Sequence, residues 1–386
     1  MAHLCAPPSR RLARGLTLVE ILVGVAIGLI GLVAIFQAVA VWSKHTQTTS
    51  SGSDAQMSGT LALFNIERDL KLAGHGFGRA PTPVAGCTVG AFDNSMARNF
   101  NFGLRAVEIA ASAGGAPDQI NVLYGNSSFY VEQGDLTGST ATTKTLRRRG
   151  GFKRGDLAVV ADGGAASAAS ANCQLVEIND DSNADGRTVG HTTIAYSSYY
   201  AASGAPTVTP RYNGASGPAF ATGTMYNLGP DPRLNSWSIL DNKALVRTDV
   251  IHGTGPLPVA DGVINMKAEY GVDANNDGRI AAGEWTASAP GDWRNVLAIR
   301  VAVLVRSRQF ERNPDTGASG TRAVTPTAAR PYYFGDPSKR FLMKSVNGDD
   351  DTYGDTDAVP NNWRYYRYRV YERVIPLRNM IWGNFE

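Results

Sequence analysis

Only five histidines occur in the 386 residues, and His3, His45, His75, His191 and His252 form no His-Glu-x-x-His pattern. A Gly-x-Ser-x-Gly turn and a glycine-lysine phosphate loop are missing as well, so the chain lacks the common signatures of hydrolases and nucleotide-using enzymes. Its carboxylates are scattered and point to no catalytic pair, and a non-enzymatic role is expected. Cysteine is scarce too: Cys5, Cys87 and Cys173 are the complete set, which excludes a disulfide-dense scaffold. Excess charge is absent once the first fifteen residues are set apart. Arg10, Arg11 and Arg14, with no acid among them, account for the whole formal charge of +3, so no global field invites nucleic acid.

What the chain does have is a long apolar run near its start. From Leu16 to Trp42, 27 residues carry a single charged side chain, Glu20. A secretory signal peptide has an apolar core of about 7–15 residues followed by a small-residue cleavage site, and this run is too long for one. About 20 apolar residues span a bilayer, so an ordinary signal anchor fits the length, and the flanking arginines would keep the N-terminus cytoplasmic. A plain anchor gives no reason for Glu20, because an acid inside a membrane span is costly and is by default functional. Gly24, Gly28 and Gly31 lie in the same run. Gly24 and Gly28 have the small-xxx-small spacing that lets helices approach closely in lipid, although glycine is also simply commoner in membrane helices.

The string Arg14-Gly15-Leu16-Thr17-Leu18-Val19-Glu20 resembles the class III signal of type IV pilins and type II secretion pseudopilins. That resemblance implies a basic leader over residues 1–15 and cleavage between Gly15 and Leu16 by a prepilin peptidase on the cytoplasmic face. It also implies N-methylation of the new Leu16 amine, and an assembly role for Glu20 opposite the N-terminal amine of a neighbouring subunit. Such a pairing is physically sensible, since a carboxylate in lipid needs a cationic partner. Leu16 stands where the family usually has phenylalanine. Gln37 stands where many major pilins carry a kinking proline, which favours a minor subunit.

Beyond the span, Lys44 to Ser53 is polar and reads as a weak or interrupted helical turn. Helical periodicity returns at Leu63, Ile66, Leu70 and Ala73, with Leu61 and Phe64 beside them and Glu67, Arg68, Asp69 and Lys71 mainly on the other side. Gly74, Gly76 and Gly78 end the pattern. One helix from Leu16 to about Ala73 is expected, its first half in lipid and its second half packed on the head. The segment from Phe64 to Gly76 is similar to the PilW group of minor pilins, in which an Arg-Asp-Leu plus Ala-Gly segment closes the helix. The resemblance resumes over Val263–Asp273, Trp293–Val301 and Val370–Asn379, while the middle of the head resembles nothing nameable.

The remainder is rich in Gly, Ala, Ser and Thr, with short β-type runs at Gln119–Tyr124, Asp156–Ala161, Gln174–Ile178, Ala244–Arg247, Val263–Tyr270, Val296–Arg306 and Tyr365–Ile375. Within Val296–Arg306 the alternation predicts a strand with one more polar face. Ala161–Asn172 and Pro314–Pro326 read as surface insertions. The expected class is α+β: a long N-terminal pilin helix packed on a large β-sheet-rich head. The segments are a leader (1–15), the transmembrane and assembly half of the helix (16–43), its amphipathic half (44–76), and a head (77–386) with one enlarged core or two lobes.

Three features of the head have alternative readings. Asp273, Asn275, Asp277, Gly278, Arg279 (through its carbonyl), Ala281 (through a water) and Glu284 match the twelve-residue calcium-loop template at every key position. The segment before them reads as a strand, so a plain hairpin turn is the alternative. A second run, Asp181, Asn183, Asp185 and Gly186, has Thr192 at position twelve and reads as a turn. Asp349, Asp350, Asp351 and Asp355 read as solvated charge. Cys87 and Cys173 are the cysteines left after the leader; in an oxidising periplasm they form a candidate disulfide, against two buried thiols. Arg364, Arg367, Arg369, Arg373 and Arg378 alternate with Tyr365, Tyr366, Tyr368 and Tyr371. Such a pattern can grip single-stranded nucleic acid, but the neutral mature charge favours a strand with one cationic face.

The expectation is a minor pilin inserted in the inner membrane with its head periplasmic. It then joins other minor pilins and the major pilin in a tip or priming complex that supports assembly, twitching or adhesion. No cofactor is required, apart from candidate Ca2+. A type II secretion minor pseudopilin is the alternative within the superfamily. From another class, the alternative is a calcium-dependent adhesin or DNA-uptake module displayed on the pilus.

Overall fold

Thr17 opens the first element by accepting a hydrogen bond from the Glu20 N–H on Oγ1 at 3.3 Å, which caps a free helix donor. This computed structural model describes residues 17–78, 80, 84–127, 134–164, 172–214, 219–220, 222–241, 243–310, 330–344, 346–347, 352–353 and 362–383. Helix α1 runs from Leu18 to Leu72, 55 residues. It is helical through the polar stretch Lys44–Ser53, where an interruption was expected. Hydroxyls there do not compete with the helix: Thr46 Oγ1 donates back to the Trp42 carbonyl at 3.0 Å, within the same ladder.

The chain divides into two compact units, Met1–Ser53 and Asp54–Glu386. In the first, Leu18–Ser43 is an apolar helix of 26 residues with none of its side chains buried. At 1.5 Å per residue it is about 39 Å long, enough to cross a hydrocarbon core of about 30 Å. By length and composition it can serve as a membrane anchor. Gly24, Gly28 and Gly31 face open space.

The second unit is mostly strands. In chain order they are β1 (Thr88–Asp93), β2 (Arg98–Gly103), β3 (Val107–Ala110), β4 (Gln119–Tyr124), β5 (Gly134–Ser139), β6 (Thr143–Leu146), β7 (Leu157–Asp162) and β8 (Cys173–Glu177). There follow β9 (Thr188–Gly190), β10 (Gly223–Gly229), β11 (Arg233–Leu240), β12 (Ala244–Asp249), β13 (Thr254–Asp261), β14 (Val263–Val272), β15 (Trp285–Thr286) and β16 (Val296–Arg306). Two small hairpins, β17 (Tyr332–Tyr333) with β18 (Asp336–Arg340) and β19 (Val346–Asn347) with β20 (Thr352–Tyr353), precede β21 (Tyr368–Pro376).

These strands form an eight-stranded sheet in the order β2-β1-β8-β7-β10-β5-β6-β9, a five-stranded sheet β13-β12-β11-β4-β3 and a four-stranded sheet β15-β14-β16-β21. The pairings are antiparallel except that of β1 with β8, which is parallel over Val89↔Cys173 and Gly90↔Gln174. The architecture is α+β, a long N-terminal helix leading into a large β-rich domain.

The second part of α1 is built into the core. Ala62, Leu63, Ile66, Leu70 and Ala73 pack with Val107, Ile120 and Trp237 of the five-stranded sheet and with Met266, Ile299 and Val301 of the four-stranded one. Their spacing gives one helix face, and burial of that face holds the helix in place. Leu61 and Phe64 lie on the opposite side, 44% and 60% exposed, together with Met57 at 72%. At Gly59 the helix packs tightly on β21, because a side chain there would strike the Tyr371 ring. The helix ends at Gly74, whose φ of +80° is costly for any residue with a Cβ.

Val296–Arg306 has the more polar face expected, with Arg300 and Arg306 on it, and that face is covered too: Ala302 and Leu304 are buried under Phe341 while Ile299, Val301, Val303 and Val305 fill the main core. One sequence expectation changes. The arginine–tyrosine strand begins at Tyr368 rather than Tyr365, since Asn362–Tyr365 forms a 3-10 turn. Ala161–Asn172 is only partly described, and Pro314–Pro326 lies outside the described residues, as do Asp349, Asp350, Asp351 and Asp355.

Candidate assembly site

Glu20 lies in the first turn of α1, where a negative charge interacts favourably with the helix dipole. Its carboxylate is exposed along with every other side chain of the span. Gly15 and Leu16 lie outside the described residues.

Where α1 meets the sheets, a polar cage was missed from sequence. Asp69 is fully buried, not on the outer side with Glu67, Arg68 and Lys71. Its Oδ2 accepts from Asn235 Nδ2 at 2.8 Å and Trp237 Nε1 at 3.0 Å, and its Oδ1 accepts from the Tyr124 hydroxyl at 3.3 Å. Asn235 and Trp237 share β11, and Tyr124 ends β4, so one helix carboxylate ties the helix to two adjacent strands. A signal was available: Asp69 falls between Ile66 and Ala73 on the buried face, where only a satisfied acid is tolerable.

Burial raises the Asp69 pKa above its ordinary 3.8, and the hydrogen bonds from Asn235 and Trp237 oppose that rise. A carboxyl with a raised folded pKa binds a proton on folding. Its contribution is therefore most favourable below pH 3.8 and is lost as pH rises through the folded value. Asp69→Asn keeps an acceptor for Asn235 and Trp237 and removes the titration. Urea unfolding of the full chain in detergent micelles at pH 4 and pH 7 should therefore show a smaller stability loss for the Asp69→Asn variant than for wild type. Parallel losses in both proteins would show that Asp69 does not carry this dependence.

Beside the cage, Glu67 accepts from Lys71 at 2.7 Å and also pairs with Arg373 of β21. The Lys71 bond first and the Arg373 bond second hold its carboxyl below the usual range. Asn379 Nδ2 donates to the Leu72 and Ala73 carbonyls at 3.1 and 3.0 Å, satisfying free acceptors at the helix end. The C-terminal segment thus clasps the end of α1. On β21, Arg369 and Arg373 share the face that pairs with Val305 and Val301, beside the helix, and Arg373 is committed to Glu67.

The structure joins Cys87 to Cys173 across 86 residues of sequence, with Cα atoms 6.3 Å apart and both residues buried. At the calcium-like loop, both oxygens of buried Asp273 accept from the backbone N–H groups of Asp277 (3.0 Å) and Gly278 (2.8 Å). Glu284 reaches back to the N–H groups of Ala274 and Ala281 at 3.2 and 2.7 Å. Asn276 and Gly278 take positive φ to close the turn. The loop connects β14 to β15, which pair through Tyr270↔Thr286, so it is a hairpin connection. Among the described residues, no group of three His, Cys, Asp or Glu side chains stands ready to hold a metal. At the second run, Asp185 accepts from the Arg187 and Thr188 N–H groups, both at 2.9 Å, and forms a turn.

Residues 240–379 match the family of type IV pilus-assembly protein W. The matched span contains β12, β13, the whole four-stranded sheet and the clasp at Asn379, and includes the three late segments that resembled the PilW group. No curated protein matches the chain. Among solved structures, a type IV-like pilin from Thermus thermophilus is similar at 11% identity, over 84% of this chain and 96% of that one, with a TM-score of 0.33.

Proposed function

We propose that the chain is a minor pilin of a type IV pilus, held in the inner membrane through Leu18–Ser43 and then drawn into the fibre. The observation that carries this reading is the place of the family match. The span that matches the pilus-assembly family builds the sheet on which the second part of α1 is seated. A description in terms of pilus assembly also favours the pilus over a secretion system.

The processing chemistry belongs to the same reading. Prepilin peptidase cuts between Gly15 and Leu16, and the Leu16 amine is methylated. That amine then becomes the counter-ion of Glu20 on a neighbouring subunit, whether major pilin or another minor pilin. The exposed stripe Met57, Leu61 and Phe64 is a surface that neighbouring helices would cover in a fibre. The head starts in the periplasm and is displayed at the tip, where it helps prime polymerisation and supports twitching or adhesion. The role is structural rather than catalytic. Mass spectrometry of sheared pili tests it: a peptide beginning at methylated Leu16 is expected, and an intact Met1 start in cells that possess the peptidase would refute it.

Calcium at Asp273, Asn275, Asp277, the Arg279 carbonyl and Glu284 is a second reading, favoured by the tight turn that the Asp277 and Gly278 backbone N–H groups close on the Asp273 carboxylate. Each carboxylate has acceptor capacity beyond the bonds it makes. Calcium should raise the melting temperature of wild type and leave Glu284→Ala unmoved. Equal responses, or none, would make the loop a plain turn.

A further inference from the structure

At the β2 edge of the eight-stranded sheet, a hollow of about 380 Å³ lies on the solvent face of β2, β1 and β8. Its walls come from the outward positions of three paired strands: Asn99 and Asn101 on β2, Gly90 and Phe92 on β1, and Gln174 on β8, with Asn172 just ahead of it. Register places them side by side, since Phe92 pairs with Asn99 and Gly90 with both Asn101 and Gln174. The alternate residues Val89, Phe102 and Cys173 point into the core. The floor is open because Gly90 has no side chain. A Cβ there would come only into ordinary contact, 3.9 Å from the Cys173 carbonyl oxygen and 4.0 Å from Asn101 Oδ1.

The chemistry of this lining is selective. None of the lining residues carries a charge, so the hollow does not suit an ion or a nucleic-acid backbone. Four carboxamides supply donors and acceptors from the same side chain, which is what a hydroxyl group, itself donor and acceptor, can satisfy. Phe92 adds an apolar surface of the kind that a sugar ring's C–H face covers. Asn101 also borders a second hollow of about 230 Å³, whose walls include Gln119 and Asn121 of β4. Arg105 and Glu108 also line that second hollow, and they neutralise one another as an ion pair. The first hollow is within the usual range for small-ligand sites, about 300–1,000 Å³. The disulfide secures the geometry, because Cys173 starts β8 and Cys87 directly precedes β1.

We infer that this face binds a neutral oligosaccharide, with Asn99, Asn101, Asn172 and Gln174 as the hydrogen-bonding groups and Phe92 as the apolar platform. An extended neutral peptide fits less well. Peptides gain affinity on sheets by adding to a free strand edge, and the hollow lies on the face, where the β1 backbone is already paired on both sides. The inference rests on the sheet alone and does not require the pilus reading.

The test uses the full chain in phosphatidylcholine nanodiscs, which avoids sugar-headed detergents. Cellohexaose, chitohexaose, maltohexaose and mannohexaose are titrated by saturation-transfer NMR, beside a charged oligogalacturonate and a neutral polar hexapeptide. Expected is saturable binding of at least one neutral hexasaccharide, insensitive to salt. It should weaken at least about tenfold in Gly90→Val, which fills the floor, and in Asn101→Ala, which removes an exposed amide without touching the core. Unchanged melting temperatures guard against misfolding, and Asn101→Ala decides the matter if Gly90→Val melts early. Failure of every neutral sugar to bind, equal binding by both variants, or preference for the peptide or the charged sugar would each overturn the assignment.

Discussion

Replacing Glu20 with alanine should leave the protein in the membrane and reduce its share of sheared pili at least tenfold, since removing one partner of a buried ion pair costs about 3–5 kcal/mol. On the proposed reading, insertion depends on the apolar 26-residue segment Leu18–Ser43, which the substitution does not shorten. On the same reading, incorporation depends on a charge that finds its partner only between subunits. The structure adds a competing explanation, because Glu20 also stands in the first helical turn, opposite the capping hydroxyl of Thr17. A charge at that point contributes about 0.3–1 kcal/mol through the helix dipole alone. Two further variants separate the effects. Glu20→Gln keeps size and hydrogen bonding but not charge, and should fail as alanine does. Thr17→Ala removes the cap and should still be incorporated. If the Glu20→Gln variant enters pili at wild-type levels by quantitative immunoblot, the counter-ion account is wrong.

Loss of the Cys87–Cys173 bond should produce the largest change in stability. The bond spans 86 residues, and in the chain-entropy model closing a loop of that length contributes about 4–5 kcal/mol. Its position adds to this. The parallel contact between β1 and β8 consists of two residue pairs, so the bond reinforces a short backbone ladder there. Chemical unfolding should show Cys87→Ala/Cys173→Ala shifted strongly to lower denaturant, with reduced wild type approaching it. Coincident curves for oxidised and reduced wild type would mean that the bond contributes nothing. The same variant should loosen the amide-lined hollow, because the bond joins two of its three strands.

How much of this was legible in the sequence varies by element. Gln119–Tyr124 and Val296–Arg306 were placed to the residue, because continuous β-branched and aliphatic runs have one good conformation. Thr88–Asp93, Arg98–Gly103 and Gly223–Gly229 were not expected as strands. Their glycine and asparagine content suggests turns, and only pairing with strands distant in sequence or in the next hairpin arm makes them part of a sheet.

The sequence alone determined the apolar span with its single acid, the helical face Leu63, Ile66, Leu70 and Ala73, and the scarcity of cysteine that left one pairing available. Those are matters of local composition and period. Tertiary structure decided that Asp69 turns inward to Tyr124, Asn235 and Trp237, that Arg373 is tied to Glu67, and that amides more than 70 residues apart line one hollow. Each of those joins residues distant in sequence. The free energy of such contacts comes from burial and hydrogen bonding after the strands have met, and no short window of sequence carries that information.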